Sequence, residues 1–402
     1  MSTCVTASAV ALGAGLLMAV FSIQQQSYNA FTGGPAGFDA VLGARGSQLQ
    51  LVLNTVFHLE TSPGNLPWSL YQAMRRDPRV ALAVPYAVGD NAYGFRVVGT
   101  TEEMFTKFEY QKDRRFEFQP GGRMFDPARP EAVIGSAVAE KTGLAAGASF
   151  QPHHGVNFDE GQRHTETYEV TGVLQPTNSP ADRVIWIPIE GVFRLDGHVL
   201  RGAGETYTPV EGHEIPDEHK EVSAVMLKLR SPLAGFSLDQ SINRHGKTAT
   251  LAWPIGRVMS DLFDKIGWVN RVLLQVAYLI VLVAAASITA SVYNTINERR
   301  REFAILRALG ARRRTVFSVI VIESTSIAAL GSVLAYGVYA VILFGAAQAI
   351  RTQTGVQIEV FKFHPALALT PPGMCALGAL AGIVPAVKAY ATDVAGHLAP
   401  ST

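Results

Sequence analysis

Cysteine is nearly missing from this chain: its 402 residues hold two, Cys4 and Cys375, each within or beside an apolar stretch. No disulfide framework can therefore staple the long polar middle of the sequence, which at roughly 240 residues can bury enough surface without one. Charge is scarce as well, at 17% against 48% hydrophobic residues, a balance too apolar for an average soluble protein. A net charge of +1 removes any global pull towards a polyanion, so no nucleic-acid partner is expected. A phosphate-binding loop is also missing. Gly246-Lys247-Thr248 ends like one, but the pattern G-x-x-x-x-G-K-[ST] requires glycine at 241, where Ser241 stands. No G-x-S-x-G motif frames a serine nucleophile. The chain is expected to hold no catalytic centre, no ATPase and no cofactor of its own.

Long hydrophobic runs are what it does have. Ala7 to Ile23 (ASAVALGAGLLMAVFSI) carries no charge and is just long enough for a bilayer core of about 20 helical residues. A cleaved signal peptide would want a basic stretch before that run and an A-x-A site after it; MSTCVTAS is not basic and the site is poor, so an uncleaved helix is expected. Three more spans close the chain, from Trp268 to about Tyr293, from Val316 to about Ile350 and from Ala366 to about Tyr390. Their Ala, Gly and Ser content suits close helix packing in lipid.

The basic residues orient these spans. Arg299, Arg300, Arg301, Arg307, Arg312, Arg313 and Arg314 lie between the second and third, against Glu298 and Glu302, whereas the next connection offers Arg351 and Lys362. The excess of arginine puts 294–315 in the cytoplasm, both termini with it, and the polar middle outside. The expected fold is a membrane protein with an α-helical transmembrane domain of four helices (1 + 3) and a large mixed α/β extracytoplasmic (periplasmic) domain. Its segments are 1–23 for the first helix, 24–265 for the outer domain, 266–395 for the three-helix permease domain and 396–402 for a cytoplasmic tail. Within the outer domain, strand-like alternation marks 94–100, 167–174, 183–189 and 223–229, helix-like patterns mark 68–76 and 131–144, and 198–221 is patternless.

The connection after the second span contains ERRREFAILRALGARRR (298–314). Ile296, Phe303, Leu306 and Gly310 recur at helical spacing, which places an apolar stripe opposite the arginines, and Gly310 is placed to end that helix. By itself this reads as a polybasic helix resting on anionic headgroups. The segment, however, resembles the signature of the FtsX-like, MacB-type permease family at the same place in the chain, and LAGIVPAVKAY (380–390) resembles the family's closing motif. The likeness covers 268–395 closely and extends to the 1 + 3, LolC/LolE-like topology. It implies a mechanotransmission (type VII) ABC system: two permease protomers, here expected as a homodimer, pair with two copies of a cytoplasmic ATPase that holds ATP and Mg, and the helices relay ATP binding to the outer domains. Glu298, Arg299, Arg300, Arg301, Glu302, Phe303, Leu306, Arg307, Leu309, Gly310 and Ala311 would be the ATPase-coupling surface, a helix in a partner's groove. The family's cargo classes include lipoproteins, lipids, amphiphiles and metal-linked molecules, with a periplasmic or lipoprotein partner; some members instead switch a periplasmic hydrolase. Members usually begin with a basic amphipathic helix, which MSTCVTAS is not, so a longer natural N-terminus is expected.

Two further features stand out. Six histidines, His153, His154, His164, His198, His213 and His219, lie among Asp159, Glu160, Glu166, Glu211, Glu214, Asp217 and Glu218. Imidazole and carboxylate suit a zinc-like cation, with His153, His154 and His164 as the nearest set, yet the spacing matches no compact zinc signature and solvated loop histidines are the plainer reading. Glu323 falls about two turns into the third span, where a helix-packing contact is favoured over a proton relay because no second intramembrane carboxylate accompanies it.

Overall fold

The computed structural model describes residues 2–32, 37–155, 164–195, 198–210, 213–355, 358–359 and 362–391. The chain divides into two units, one made of Met1–Ser27, Ile266–Ala349 and Ile358–Thr402, the other of Tyr28–Lys265 and Ile350–Gln357.

The second unit is a mixed α/β domain. Its strands are β1 (Ala40–Ala44), β2 (Leu66–Pro67), β3 (Val80–Ala92), β4 (Phe95–Thr100), β5 (Glu131–Ile134), β6 (Ser149–Phe150), β7 (His153–His154), β8 (Tyr168–Val173), β9 (Val184–Pro188), β10 (Glu221–Val222), β11 (Ala224–Leu229) and β12 (Ala249–Ala252). Among the described residues, all but β2 and β10 join one sheet in the order β12-β1-β11-β3-β4-β9-β5-β8-β6, with β7 added to β3. Only β4–β9 and β5–β8 are parallel; the rest of the ladder is antiparallel.

Neighbouring side chains on a strand point to opposite faces, and here both faces are covered. Ala40 and Leu42 of β1, Val225 and Leu227 of β11, and Ile185 and Ile187 of β9 enter one core, while Val41, Ala224, Met226, Val184 and Trp186 enter the other. β9 and β11, expected from alternation, are buried almost throughout on both faces, and burial on two sides is why VIWIP and AVMLKL are nearly continuous apolar runs. Trp186 lies edge-on to Tyr86 at 5.6 Å, Phe105 at 6.2 Å and His58 at 6.1 Å between ring centroids. His58 sits in the left-handed region at φ 55°, and burial, then the charges of Arg96 and Arg183, push its pKa down to about 3.

The helices of this unit are α2 (Gln48–Thr55), α3 (Trp68–Arg76), α4 (Glu103–Thr106), α5 (Ser136–Thr142), α6 (Ile189–Arg194) and α7 (Pro232–Asp239). The four strands and the 68–76 helix expected from the sequence are all present. The segment 131–144 is not one helix but β5 followed by α5. Tertiary pairing overrides its helical pattern: β5 is held between β8 and β9, and Gly135, at the break, packs so closely on the Asp182 carbonyl that no side chain would fit.

The other unit is helical. Together with α1 (Ser2–Thr32), α8 (Ile255–Glu298), α9 (Arg300–Ala308), α10 (Arg313–Thr354) and α11 (Pro365–Ala391), it contains four helices long and apolar enough to span a membrane, within α1, α8, α10 and α11. At 1.5 Å per residue the 44 residues of α8 and 42 of α10 extend over about 66 and 63 Å, twice a bilayer core of about 30 Å. Glycine lets these helices approach one another. A Cβ on Gly331 of α10 would lie 2.5 Å from Val10 Cβ, and one on Gly15 of α1 would lie 2.7 Å from Val338 Cβ. Gly378 and Gly382 of α11 pack in the same way against Ala328 and Ser324. Pro371, Pro372 and Pro385 fall inside α11, where a membrane helix accommodates them.

Candidate functional site: the coupling segment and a carboxylate–imidazole cluster

Between α8 and α10 the chain makes one short helix and a sharp turn. Glu298 is the last residue of α8, and α9 carries Arg300, Arg301, Glu302, Phe303 and Leu306. Gly310 takes φ 99°, a conformation that suits glycine, and the Ala311 amide donates to the Leu306 carbonyl at 3.0 Å, so the helix closes where the sequence placed its stop. The apolar residues do not form the single stripe expected. Ile296 and Ala304 turn inward with 8% and 7% of their surface exposed, and Phe303 is half-buried. Leu306 and Leu309 instead face out, 50% and 80% exposed, joined by Ile305 at 45%. The reason lies in the helical period: inward positions 303 and 304 leave 305, 306 and 309 on the opposite arc. Glu298, Arg299, Arg300, Arg301, Glu302 and Gly310 are exposed around them, and Ala311 is half-buried; the side chain of Arg307 lies outside the described residues. Close by, the Lys388 ammonium, near the end of α11, donates to the Tyr293 hydroxyl of α8 at 2.5 Å and lies 4.5 Å from its ring, which ties those two helices beside the segment. Glu323 on α10 is half-buried, one residue before the fully buried Ser324 that packs on Gly382.

In the α/β unit four chemically matched groups meet. Asp90 lies late in β3, beside a bulge where the register with β4 slips between Val88 and Asp90, and pairs across the ladder with His154 of β7. Its Oδ1 lies 3.1 Å from His154 Nδ1, 3.2 Å from His164 Nε2 and 3.3 Å from His198 Nε2. The four ligand atoms all fall within 4.8 Å of one another. Asp90 and His164 are almost wholly enclosed, at 1% and 2% side-chain exposure, while His154 retains 37% and His198 17%. Burial pushes the Asp90 carboxyl up, but the hydrogen bonds from His154, His164 and His198 and the charge of His198 outweigh it and hold the group well below the carboxylate range.

Of the three histidines expected together, the structure keeps His154 and His164 and leaves out His153. His153 pairs with Asn91 and, as the strand neighbour of His154, points to the opposite face. Of the other clustered groups, His219 stacks on Tyr207 at 4.2 Å, Asp217 pairs with Lys220 at 3.1 Å, and the His213 carbonyl accepts from Arg194. Asp159, Glu160 and Glu211 lie outside the described residues. Sequence reading missed Asp90, which stands 74 residues from His164 and 108 from His198 in no motif. The one local hint is the GDNAYG turn around it.

Comparison with known proteins covers both halves. The model of the FtsX-like permease C-terminal domain matches residues 275–394, and that of the MacB-like periplasmic core domain matches residues 3–240. Two curated relatives, the macrolide export ATP-binding/permease proteins MacB of Brucella abortus (strain 2308) and Brucella melitensis biotype 1, are each 31% identical over 227 residues, or 55% of this chain. The chain spans about a third, 32%, of those relatives' length. Among solved structures, the periplasmic region of MacB from Actinobacillus actinomycetemcomitans is 11% identical at a TM-score of 0.35, over 57% of this chain and 94% of that one. The extracellular domain of the noncanonic ABC-type transporter YknZ from Gram-positive bacteria is 16% identical at a TM-score of 0.28, over 52% and 97%. Taken with the membrane-length helices, the two domain matches place the chain in the FtsX-like, MacB-type family of membrane permeases.

Proposed function

We propose that this chain is the permease subunit of an ABC transporter of the bacterial inner membrane, with its α/β domain on the periplasmic side, and that it works as a mechanical relay. ATP binding and hydrolysis on a separate cytoplasmic subunit would be converted into movement of the α/β domain. The observation that carries this reading is the coupling segment, in which Ile305, Leu306 and Leu309 stand in water within an arginine-rich turn between two helices of 44 and 42 residues. Apolar side chains held out at a helix end, ringed by charge, are suited to a partner's groove. Shifts of whole helices are one of the ways in which a local event is passed to a distant part of a protein.

Two ATPase subunits and a second copy of the permease would complete the machine. The relatives' name, macrolide export, favours an amphiphilic small molecule among the cargo classes. The test is direct. The chain is purified from its native cells, which supply the ATPase, and the complex is weighed by native mass spectrometry. Two copies of each subunit are expected; recovery of the permease alone from cells that contain the ATPase overturns the proposal. The relay is read by electron spin distances between two protomers labelled at Leu233→Cys, a position 80% exposed, after Cys4 and Cys375 are changed to Ser. The distance is expected to change on ATP binding, and one that stays constant through the ATP cycle argues against the relay.

A further inference from the structure

We propose that Asp90, His154, His164 and His198 form a four-ligand site for a divalent transition cation of the zinc class, one that staples the α/β domain from within. This goes beyond the transport reading and does not depend on it.

Geometry is the first support. Four ligands around zinc at about 2.0–2.2 Å stand about 3.3–3.6 Å from one another at the corners of a tetrahedron. The carboxylate oxygen of Asp90 already stands 3.1, 3.2 and 3.3 Å from the three imidazole nitrogens, close to that edge length. Every pair in the set lies within 4.8 Å, so a contraction of at most about 1.5 Å closes the tetrahedron.

Hydrogen-bond chemistry is the second. One carboxylate oxygen has about two lone pairs, and three imidazoles converge on it. Three ring N–H groups aimed at one oxygen crowd it, whereas a cation at the centre takes one lone pair from each ring and one from the carboxylate. A buried carboxylate also needs a compensating positive charge. The guanidinium of Arg96, on the neighbouring strand, acts on Asp90 through its charge but donates to the Glu60 carbonyl at 2.6 Å.

Ligand type and access narrow the class. Three nitrogens and one oxygen, with no thiolate, suit zinc and its neighbours cobalt and nickel better than calcium or magnesium. All four positions are filled by the protein, the pattern of a structural rather than a catalytic site. Entry is open at His154 and His198. The cross-link would join β3 to β7, to the residues preceding β8 and to the residues following α6. These segments are as far as 108 residues apart in a domain that holds no disulfide, so closing them in the folded state gives a large gain over the unfolded chain.

The experiment uses the full chain purified in detergent, stripped with a chelator and titrated with zinc alone and with cobalt(II) alone. One zinc per chain by mass spectrometry of the metal is expected, with a visible cobalt(II) spectrum of four-coordinate type and a rise in unfolding temperature on zinc addition. His154→Ala and His198→Ala, both partly exposed and so tolerable to the fold, should each weaken zinc binding by at least about tenfold. His245→Ala, at an exposed histidine outside the cluster, should leave it unchanged. Zinc well below one per chain, full affinity in either cluster variant, or equal loss in His245→Ala overturns the site. If a cluster variant fails to fold, the cobalt(II) spectrum of the unaltered chain decides: six-coordinate, weakly coloured metal refutes the assignment.

Discussion

The double substitution Leu306→Asp, Leu309→Asp tests the coupling surface most sharply, because the structure sets its size. Fully burying a leucine side chain contributes about 1.5–3 kcal/mol. Leu306 still has 50% and Leu309 80% of its surface in water, so a partner's groove that covers both gains about 2–4 kcal/mol from them. At 1.4 kcal/mol per tenfold, that corresponds to an affinity for the ATPase about 30- to 700-fold weaker, and the lower figure is the safer expectation because interface area converts poorly into affinity. The assay is binding of the purified ATPase to the chain in nanodiscs, with helical circular dichroism as a folding control. Both side chains already face water, so the fold should be unaffected. Ala304→Asp makes a contrast: Ala304 is 7% exposed, and a charge there should unfold α9 locally rather than act on the interface alone. Wild-type affinity in a correctly inserted double variant would refute the coupling role of α9.

Three other outcomes are expected. Gly331→Leu drives a side chain into Val10 and the Ala7 carbonyl and should cost about 1–3 kcal/mol of helix packing, visible as a lower unfolding temperature in detergent, whereas Gly337→Leu, where a Cβ meets nothing within 4 Å, should be near neutral. His58 keeps some surface contact, but its ring nitrogen is enclosed, and a folded pKa of about 3 against an ordinary 6.5 means that the unfolded chain takes up a proton in this window while the folded one does not. Stability from this residue is therefore complete above pH 6.5 and lost as pH falls towards 3, by about 2–4 kcal/mol; His58→Asn, which accepts the left-handed backbone, should flatten that limb of the unfolding temperature against pH, and an unchanged profile would count against it. Finally, a reporter fused after residue 305 should read cytoplasmic and one fused at residue 150 external, with the reverse result overturning the orientation.

Much of this architecture is local and therefore legible in the residues themselves. The span Ala7 to Ile23, the apolar lengths within α8, α10 and α11, and the arginines of 299–314 each declare themselves through hydropathy or charge within one window of sequence. The same holds for β9 and β11, whose composition marks them as strands, and for Gly310, whose place after α9 marks a stop. Periodicity and backbone preference act over a few residues, so neighbours along the chain suffice to determine them.

What the sequence could not decide depends on partners distant in the chain. EAVIGSAVAEKTGL has a helical pattern throughout, and only the ladder of β5 with β8 and β9, with Gly135 pressed on the Asp182 carbonyl, divides it. Which way Leu306 of α9 and Leu309 just after it face followed from the burial of Phe303 and Ala304, not from the stripe alone. His153 and His154 are alike as letters, yet the alternation of β7 sends one away from Asp90 and the other towards it. Asp90 itself joins His164 and His198 across 74 and 108 residues, because a bulge in β3 and the pairing of β7 bring them to one point. A site made this way leaves no spacing to read: its ligands are chosen by strand register and tertiary packing, which no stretch of sequence contains on its own.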